Sequence, residues 1–172
     1  MSSDDIPLLF QVPARVRKAQ LRAFLMKLTE RVTRGRKICC LVAGDAELRR
    51  LNRRFLGKNF ATDVLSFPAR GDDELAGDLA ISMGRAKAQA AQHGHSLDTE
   101  LCILMLHGAL HLAGMDHETD SGEMARAETR WRRRLGLPNG LIERSGKTAA
   151  RGAAQTPSRR PAARAPVKRS AR

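Results

Sequence analysis

Aromatic residues are scarce in this chain of 172 residues, since five Phe, one Trp and no Tyr make up only 3% of it. So few rings cannot both fill a hydrophobic core and form an exposed stacking surface. An RNA-binding platform built on several aromatic residues is therefore not expected. Cysteines number three, and Cys39 and Cys40 are adjacent. An odd number with this spacing excludes a scaffold held together by disulfides.

Long apolar runs are also missing. The longest, LCILMLHGALHLAGM (residues 101–115), contains two His and is too short to span a bilayer. The first ten residues, MSSDDIPLLF, are acidic and lack the basic start and apolar stretch of a secretory signal. These features predict a protein of the reducing cytoplasm that has no membrane partner.

Acidic residues are few compared with basic ones. The chain contains 18 Asp and Glu but 31 Lys and Arg, so its net charge is +13. Eight of the basic residues lie in residues 145–172, which contain no acid and no Leu, Ile, Phe or Met. Without these eight charges, the +13 falls to +5 for the rest of the chain. We predict one domain over residues 1–143 and a disordered basic tail rich in Ala, Arg and Pro over residues 144–172. The tail is either a solvated extension or a nonspecific tether to RNA phosphates, and both interpretations stay open.

Hydrophobic periodicity predicts the element order βαβαββααα, which is typical of an α+β fold. We expect a single domain with a mixed sheet of about four strands packed with helices, and a metal site on a central helix and the following loop. Helix starts are predicted near Pro13, Asp45, Ser96 and Asp120. The last helix is expected to bury Met124, Ala127, Trp131 and Leu135 and to expose Arg126, Arg130, Arg132 and Arg133.

The chemistry is concentrated in HGALHLAGMDH, residues 107–117. His107 and His111 are four residues apart, so they project from one face of the predicted helix. Gly114 can end that helix in the left-handed conformation and turn the chain back, which brings His117 toward the other two. Three imidazoles with an open fourth position are typical of a catalytic zinc site. Ni²⁺ or Cu²⁺ would also suit these ligands better than Mg²⁺.

The alternative interpretation is a set of ordinary core histidines. With five His in the chain, a window of this length would hold about 0.3 by chance, and it holds three. Unpaired imidazoles on the most apolar helix would also lower stability. The metal site is therefore favoured. The other two His, His93 and His95, lie at a helix end and are expected to be exposed.

Two classes of metal-dependent hydrolysis are compatible with this spacing. Two His at i and i+4, a Gly and a third His match the metzincin proteases, which need a Glu directly after the first His. Here that residue is Gly108, so a zinc peptidase is disfavoured. Hydrolysis of a phosphodiester fits better, because metal and basic side chains can meet the substrate's charge. The nucleophile would be a metal-bound water, although an RNA hydroxyl is the open alternative.

HGALHLAGMDH resembles the signature of the YbeY family, the bacterial metal-dependent endoribonucleases of ribosomal RNA maturation. LNRRFLGKNFATDVLSFP (residues 51–68) and GDLAIS (residues 77–82) are similar to that family's other hallmark block, so that the resemblance covers about residues 35–137. It implies an α+β fold and three metal ligands, His107, His111 and His117. Asp116 also matches, and it is expected to orient a ligand through a hydrogen bond.

The chain departs from the family pattern at one position near the predicted site. A Tyr-Arg-Gly stretch is usual in the family, and its Arg is thought to hold the RNA phosphate. Here the matching residue is Leu56. Arg54 and Lys58 are therefore the candidates for phosphate contact.

The resemblance implies a single-strand-specific, zinc-dependent endoribonuclease with one Zn²⁺ per chain. It would act in maturation of the 16S rRNA 3′ end and in ribosome quality control. Its partners would be single-stranded rRNA and the small ribosomal subunit or ribosomal proteins. The alternatives are a noncatalytic ribosome-assembly factor with structural zinc and, disfavoured by Gly108, a zinc peptidase.

Overall fold

The computed structural model describes residues 8–71 and 73–138, so the predicted tail over residues 144–172 lies outside the described residues. The elements follow the predicted order. They are β1 (Leu8–Phe10), α1 (Lys18–Arg31), β2 (Lys37–Ala43), α2 (Asp45–Leu56), β3 (Val64–Pro68), β4 (Leu75–Ser82), α3 (Met83–His93), α4 (Leu97–Leu112) and α5 (Glu123–Leu135).

The four strands form one mixed sheet in the order β1-β2-β4-β3. Strands β1, β2 and β4 are parallel, and β3 pairs with β4 in the antiparallel sense. This arrangement follows from the connections. Helix α1 lies between β1 and β2, and α2 lies between β2 and β4, which allows these strands to be parallel. A short loop joins β3 to β4, which suits an antiparallel pair. The predicted α+β class with about four strands is confirmed.

Helix α4 lies at the centre of the domain. Its residues are apolar on nearly every face, and eleven of its sixteen are buried. Such a helix must be surrounded by other elements, and α4 contacts α1, α3, α5, β3 and β4. The side chains of β2 alternate between the two faces of the sheet. Ile38, Cys40 and Val42 belong to the core that contains α4, and Ala43 packs with Leu48 of α2.

The predicted start of α1 was wrong, and α2 begins at Asp45 as predicted but is not capped by it. Contacts with distant residues hold both of these segments. Helix α1 starts at Lys18 and not near Pro13. The preceding N–H, that of Arg17, donates to Asp98 Oδ1 at 2.7 Å, which ties this end of α1 to the start of α4. The N-cap of α2 is Gly44, and the Asp45 carboxylate accepts a hydrogen bond from the hydroxyl of Ser82 instead.

The start of α5 also differs from the predicted capping box. Its N-cap is Gly122, in the left-handed conformation. The Asp120 carboxylate nevertheless fixes this helix end, because it accepts from the N–H groups of Gly122 and Met124, both at 2.7 Å. The predicted cap at Ser96 is confirmed, since its hydroxyl accepts from the N–H of Thr99 at 3.1 Å.

One predicted burial pattern was wrong as well. Arg132 of α5 is only 2% exposed, although it was expected in solvent with the other arginines of that helix. Phe55 of α2 is 55% exposed. Within the part of the chain that the structure describes, no helix is long and apolar enough to cross a membrane.

Candidate metal centre

The structure brings the three predicted histidines together. His107 and His111 lie one turn apart on α4 with their Nε2 atoms 3.3 Å from each other. The ring of His117 lies beside both, with centroid distances of 5.4 Å to His107 and 5.2 Å to His111. One nitrogen from each ring can be chosen so that all three lie within 4.8 Å of one another. A single cation can therefore contact all three rings.

The turn after α4 places His117. Gly114 has φ +93°, the left-handed conformation predicted for it, and its N–H donates to the carbonyl of His111 at 2.9 Å. Asp116 then shapes the next turn, because its carboxylate accepts from the Glu118 N–H at 3.0 Å and the Thr119 hydroxyl at 3.3 Å. The Glu118 N–H is the main reason that the pKa of Asp116 is lowered. The expected role of Asp116 in orienting a histidine stays a prediction.

A buried carboxylate contacts the first histidine of the cluster. Glu128 of α5 lies with Oε2 3.0 Å from Nδ1 of His107, and its side chain is 1% exposed. Its other oxygen, Oε1, accepts from Nε and Nη2 of Arg132 at 2.8 and 2.6 Å. Arg132 also donates from Nη1 to the carbonyl of Pro138 at 2.6 Å. This chain of contacts, which we call the Glu128 brace, was not predicted from the sequence.

The surroundings of His111 favour its neutral form, with a free nitrogen lone pair. Burial, together with the neighbouring His107 and His117, lowers the pKa of His111 to about 4. Two Nε2 atoms that face each other at 3.3 Å need a proton or a cation between them. Because Glu128 occupies Nδ1 of His107, the Nε2 atom of that ring is the one directed at the cluster. Three imidazole nitrogens in this arrangement fit a borderline divalent cation such as Zn²⁺.

The histidines open into a cleft of about 630 Å³. Its other side is formed by the end of α2, the loop after it and β3, including Leu56, Lys58, Phe60 and Asp63. Of the two predicted phosphate contacts, only Lys58 lines the cleft. The guanidinium of Arg54 lies over the ring of Phe55, 5.3 Å from its centroid.

Gly108 lies against the sheet. A Cβ on this residue would lie 2.6 Å from Leu79 Cδ2 and 3.2 Å from Ser66 Oγ, both on the sheet. The glycine allows α4 to approach the sheet closely. Position 108 lacks the carboxylate that the peptidase mechanism requires, and a side chain there would clash with the sheet.

The other two histidines lie apart from the cluster. His93 is exposed at the end of α3, as predicted. His95 was expected to be exposed but is partly buried, because its Nε2 contacts the carboxylate of the buried residue Glu100. The two rings stack with centroids 6.0 Å apart.

A mixed sheet packed with helices, whose central helix and following turn present three imidazoles to an open cleft, defines a candidate metalloprotein of the α+β class. A sequence model of the family described as Endoribonuclease YbeY matches residues 11–136. The chain belongs to this family.

Relatives of the same description support the assignment. Endoribonuclease YbeY of Solibacter usitatus (strain Ellin6076) is 55% identical over 134 residues, which cover 78% of this chain and 90% of that protein. Endoribonuclease YbeY of Koribacter versatilis (strain Ellin345) is 51% identical over 140 residues, which cover 81% of this chain and 91% of that protein. Among solved structures, the solution structure of TM1509 from Thermotoga maritima has a TM-score of 0.50 at 22% identity and covers 90% of this chain and 99% of its own. This last similarity concerns the fold alone.

Proposed function

We propose that this protein is a single-strand-specific, zinc-dependent endoribonuclease of the bacterial cytoplasm. Its substrate would be ribosomal RNA, at the 3′ end of 16S rRNA, in maturation and in ribosome quality control. Its partners would be the small ribosomal subunit or ribosomal proteins. The observation that carries the proposal is the convergence of His107, His111 and His117 at an open cleft, in a chain of the Endoribonuclease YbeY family.

The three histidines would hold one Zn²⁺. When bound, the ion supplies a Lewis acid for the phosphodiester and lowers the pKa of a coordinated water. Glu128 keeps the His107 ring in position through Nδ1. Lys58 would meet the phosphate charge from the far side of the cleft.

Asp63 is a candidate proton acceptor in the same cleft. Its Oδ2 accepts from Gln89 Nε2 and its Oδ1 from the N–H of Val64, both at 2.9 Å. These contacts hold the carboxylate in a fixed orientation at the start of β3. A carboxylate held in this way can orient a water or receive a proton during cleavage.

The other two functions are less well supported. A zinc peptidase lacks its general base, because position 108 is a glycine packed on the sheet. A noncatalytic assembly factor would need a metal site with a structural role only, and such sites are closed by four protein ligands. Here three histidines open into a cleft.

The test is cleavage of rRNA fragments, single-stranded and duplex, by the wild type and by His111→Ala, each with and without a chelator. We expect the wild type to cut the single-stranded fragment only without chelator, and His111→Ala to cut neither. Products with a cyclic phosphate would identify an RNA hydroxyl as the nucleophile.

Exposed His93 provides the matched control, and His93→Ala should cut like the wild type. Cleavage that survives both the chelator and His111→Ala would refute the metal mechanism. If no variant cuts RNA and His107→Ala unfolds the domain, the assembly factor becomes the better explanation.

A further inference from the structure

Two large apolar side chains stand at the edge of the candidate metal centre. Leu56 and Phe60 line the same cleft as the histidines, yet they are 54% and 55% exposed. Exposed apolar side chains that line one cleft beside a polar site indicate a surface that a ligand covers. We call Leu56 and Phe60 the apolar edge of the cleft.

The backbone beneath Phe60 is held in place. Asn52 is 1% exposed, and its Nδ2 donates to the carbonyl of Phe60 at 2.8 Å. The next residue back, Asn59, accepts from Nε of Arg49 at 2.9 Å. A buried polar side chain therefore fixes the loop from below while the ring above stays in solvent. A contact surface fixed in advance loses less entropy when it binds.

The ring of Phe60 is free for an external partner. Phe55, which is equally exposed, packs on Phe67 with centroids 5.1 Å apart and carries the guanidinium of Arg54 on its ring. Among the described residues, Phe60 has no ring or cation contact of this kind. One face of an aromatic ring is thus available at the cleft.

The apolar edge has one cation of its own. Residues 48–62 contain five cations and no acid, namely Arg49, Arg50, Arg53, Arg54 and Lys58, but only Lys58 lines the cleft, and Arg50 is paired with Glu47. The acids that line the cleft are Asp63, Asp116 and Glu118. Lys58 lies between Leu56 and Phe60 in sequence and lines the cleft with them. An apolar surface beside a cation matches the two halves of a nucleotide, its base and its phosphate.

We propose that the apolar edge takes one unpaired base of an RNA strand, with the base stacked on Phe60 and against Leu56, while Lys58 meets the adjoining phosphate. This inference rests on the proposed function and gives a physical origin for its single-strand preference. A base within a duplex is already stacked and paired, and it cannot reach the ring. One ring is sufficient for one base, so the shortage of aromatic residues is no obstacle.

Binding is tested in the His111→Ala background, where the RNA stays intact. The probes are two fluorescein-labelled oligomers of about eight nucleotides, one a single-stranded RNA and one an abasic ribose-phosphate chain of equal charge. We expect Phe60→Ala to weaken binding of the RNA by about 5- to 150-fold and to leave the abasic chain unchanged. Lys58→Met should weaken binding of both oligomers to the same extent.

Leu9→Ala is the matched control, because Leu9 is 62% exposed but lies on β1 and does not line the cleft. It should change neither affinity. Phe60→Trp should keep RNA binding, and its fluorescence should be quenched by the RNA and not by the abasic chain. The three substituted side chains are all exposed, so thermal unfolding should show that the four variants are folded.

Two results would overturn the inference. One is a Phe60→Ala variant that binds the RNA as tightly as its parent, and the other is an equal loss for the RNA and the abasic chain. Failure of the proposed function looks different: wild-type protein with Zn²⁺ would cut no RNA, while binding would still depend on bases and on Phe60. A third result would also overturn the inference. If Phe60→Ala lost binding to a ribosomal protein while its RNA affinity stayed unchanged, the apolar edge would bind a protein partner and not an RNA base.

Discussion

Glu128 and His107 are 21 residues apart in sequence, yet Oε2 of the first lies 3.0 Å from Nδ1 of the second, and both side chains are buried. The contact joins α5 to α4 at the candidate metal centre. It selects the tautomer of His107 that donates from Nδ1, which leaves the lone pair of Nε2 for a cation.

Glu128→Gln should weaken Zn²⁺ binding by about 10- to 100-fold, because an amide polarises the imidazole less than a carboxylate does. Competition with a chromophoric chelator measures the affinity. Glu30→Gln on the exposed side of α1 should bind like the wild type. An unchanged affinity in Glu128→Gln would show that the contact does not tune the site.

Arg132→Met should lower the free energy of unfolding by about 3–5 kcal/mol, since it leaves the buried carboxylate of Glu128 without its cation. The neighbouring residue, Arg133, is exposed, and Arg133→Met should stay within about 0.5 kcal/mol of the wild type. Urea denaturation measures both. Equal stability of the two variants would contradict the brace as described.

Gly108→Ala should lower the free energy of unfolding by about 1–3 kcal/mol, because the added Cβ meets Leu79 at 2.6 Å. Leu79 gives the shortest contact, and Ser66 Oγ follows at 3.2 Å. The double variant with Leu79→Ala should therefore lose less stability than the sum of the single variants, by thermal or urea unfolding. Additive losses would place the strain elsewhere.

The metal-free protein should lose stability as the pH falls from about 6.5 toward 4. Burial and the two neighbouring histidines lower the pKa of His111 from 6.5 to about 4 in the folded state. Over this interval the unfolded chain binds a proton that the folded protein excludes, so acid favours unfolding. Urea midpoints in a chelator at pH 7.5 and 4.5 measure the effect. His111→Gln should reduce the pH dependence, and His93→Gln should not change it.

Zn²⁺ at about 100 times its dissociation constant should stabilise the wild type by about 2.7 kcal/mol, because the ion binds only the folded arrangement of the histidines. A thermal unfolding series against Zn²⁺ concentration measures this. His117→Ala should show a much smaller shift. An equal shift in that variant would remove His117 from the ligand set.

Local patterns were enough to predict the element order and the three converging histidines. The i and i+4 spacing of His107 and His111, followed by the glycine at 114, describes a helix and turn that need no distant contact. The start of α1 near Pro13 and the capping role of Asp45 were predicted wrongly, because partners far along the chain, Asp98 and Ser82, bind those segments.

The Glu128 brace could not be predicted from local sequence patterns. It depends on how α4 and α5 pack against each other, and the sequence of neither helix specifies that packing. One signal was present: Glu128 and Arg132 follow Met124 at steps of four, so they share its buried face. Charged residues on a buried stripe indicate a paired, functional contact more often than a solvated surface. The exposure of Phe60 had no comparable signal in the sequence.

The residues that line the cleft tolerate substitution to different degrees. His107 and His111 lie on α4, where most residues belong to the core, whereas Leu56 at the end of α2 and Lys58 and Phe60 in the loop after it are exposed. Under the proposed mode of binding, mutations at these exposed positions would alter which RNA is accepted and leave the three histidines in place. Descendants of this protein could therefore acquire new substrate preferences while their chemistry stays the same.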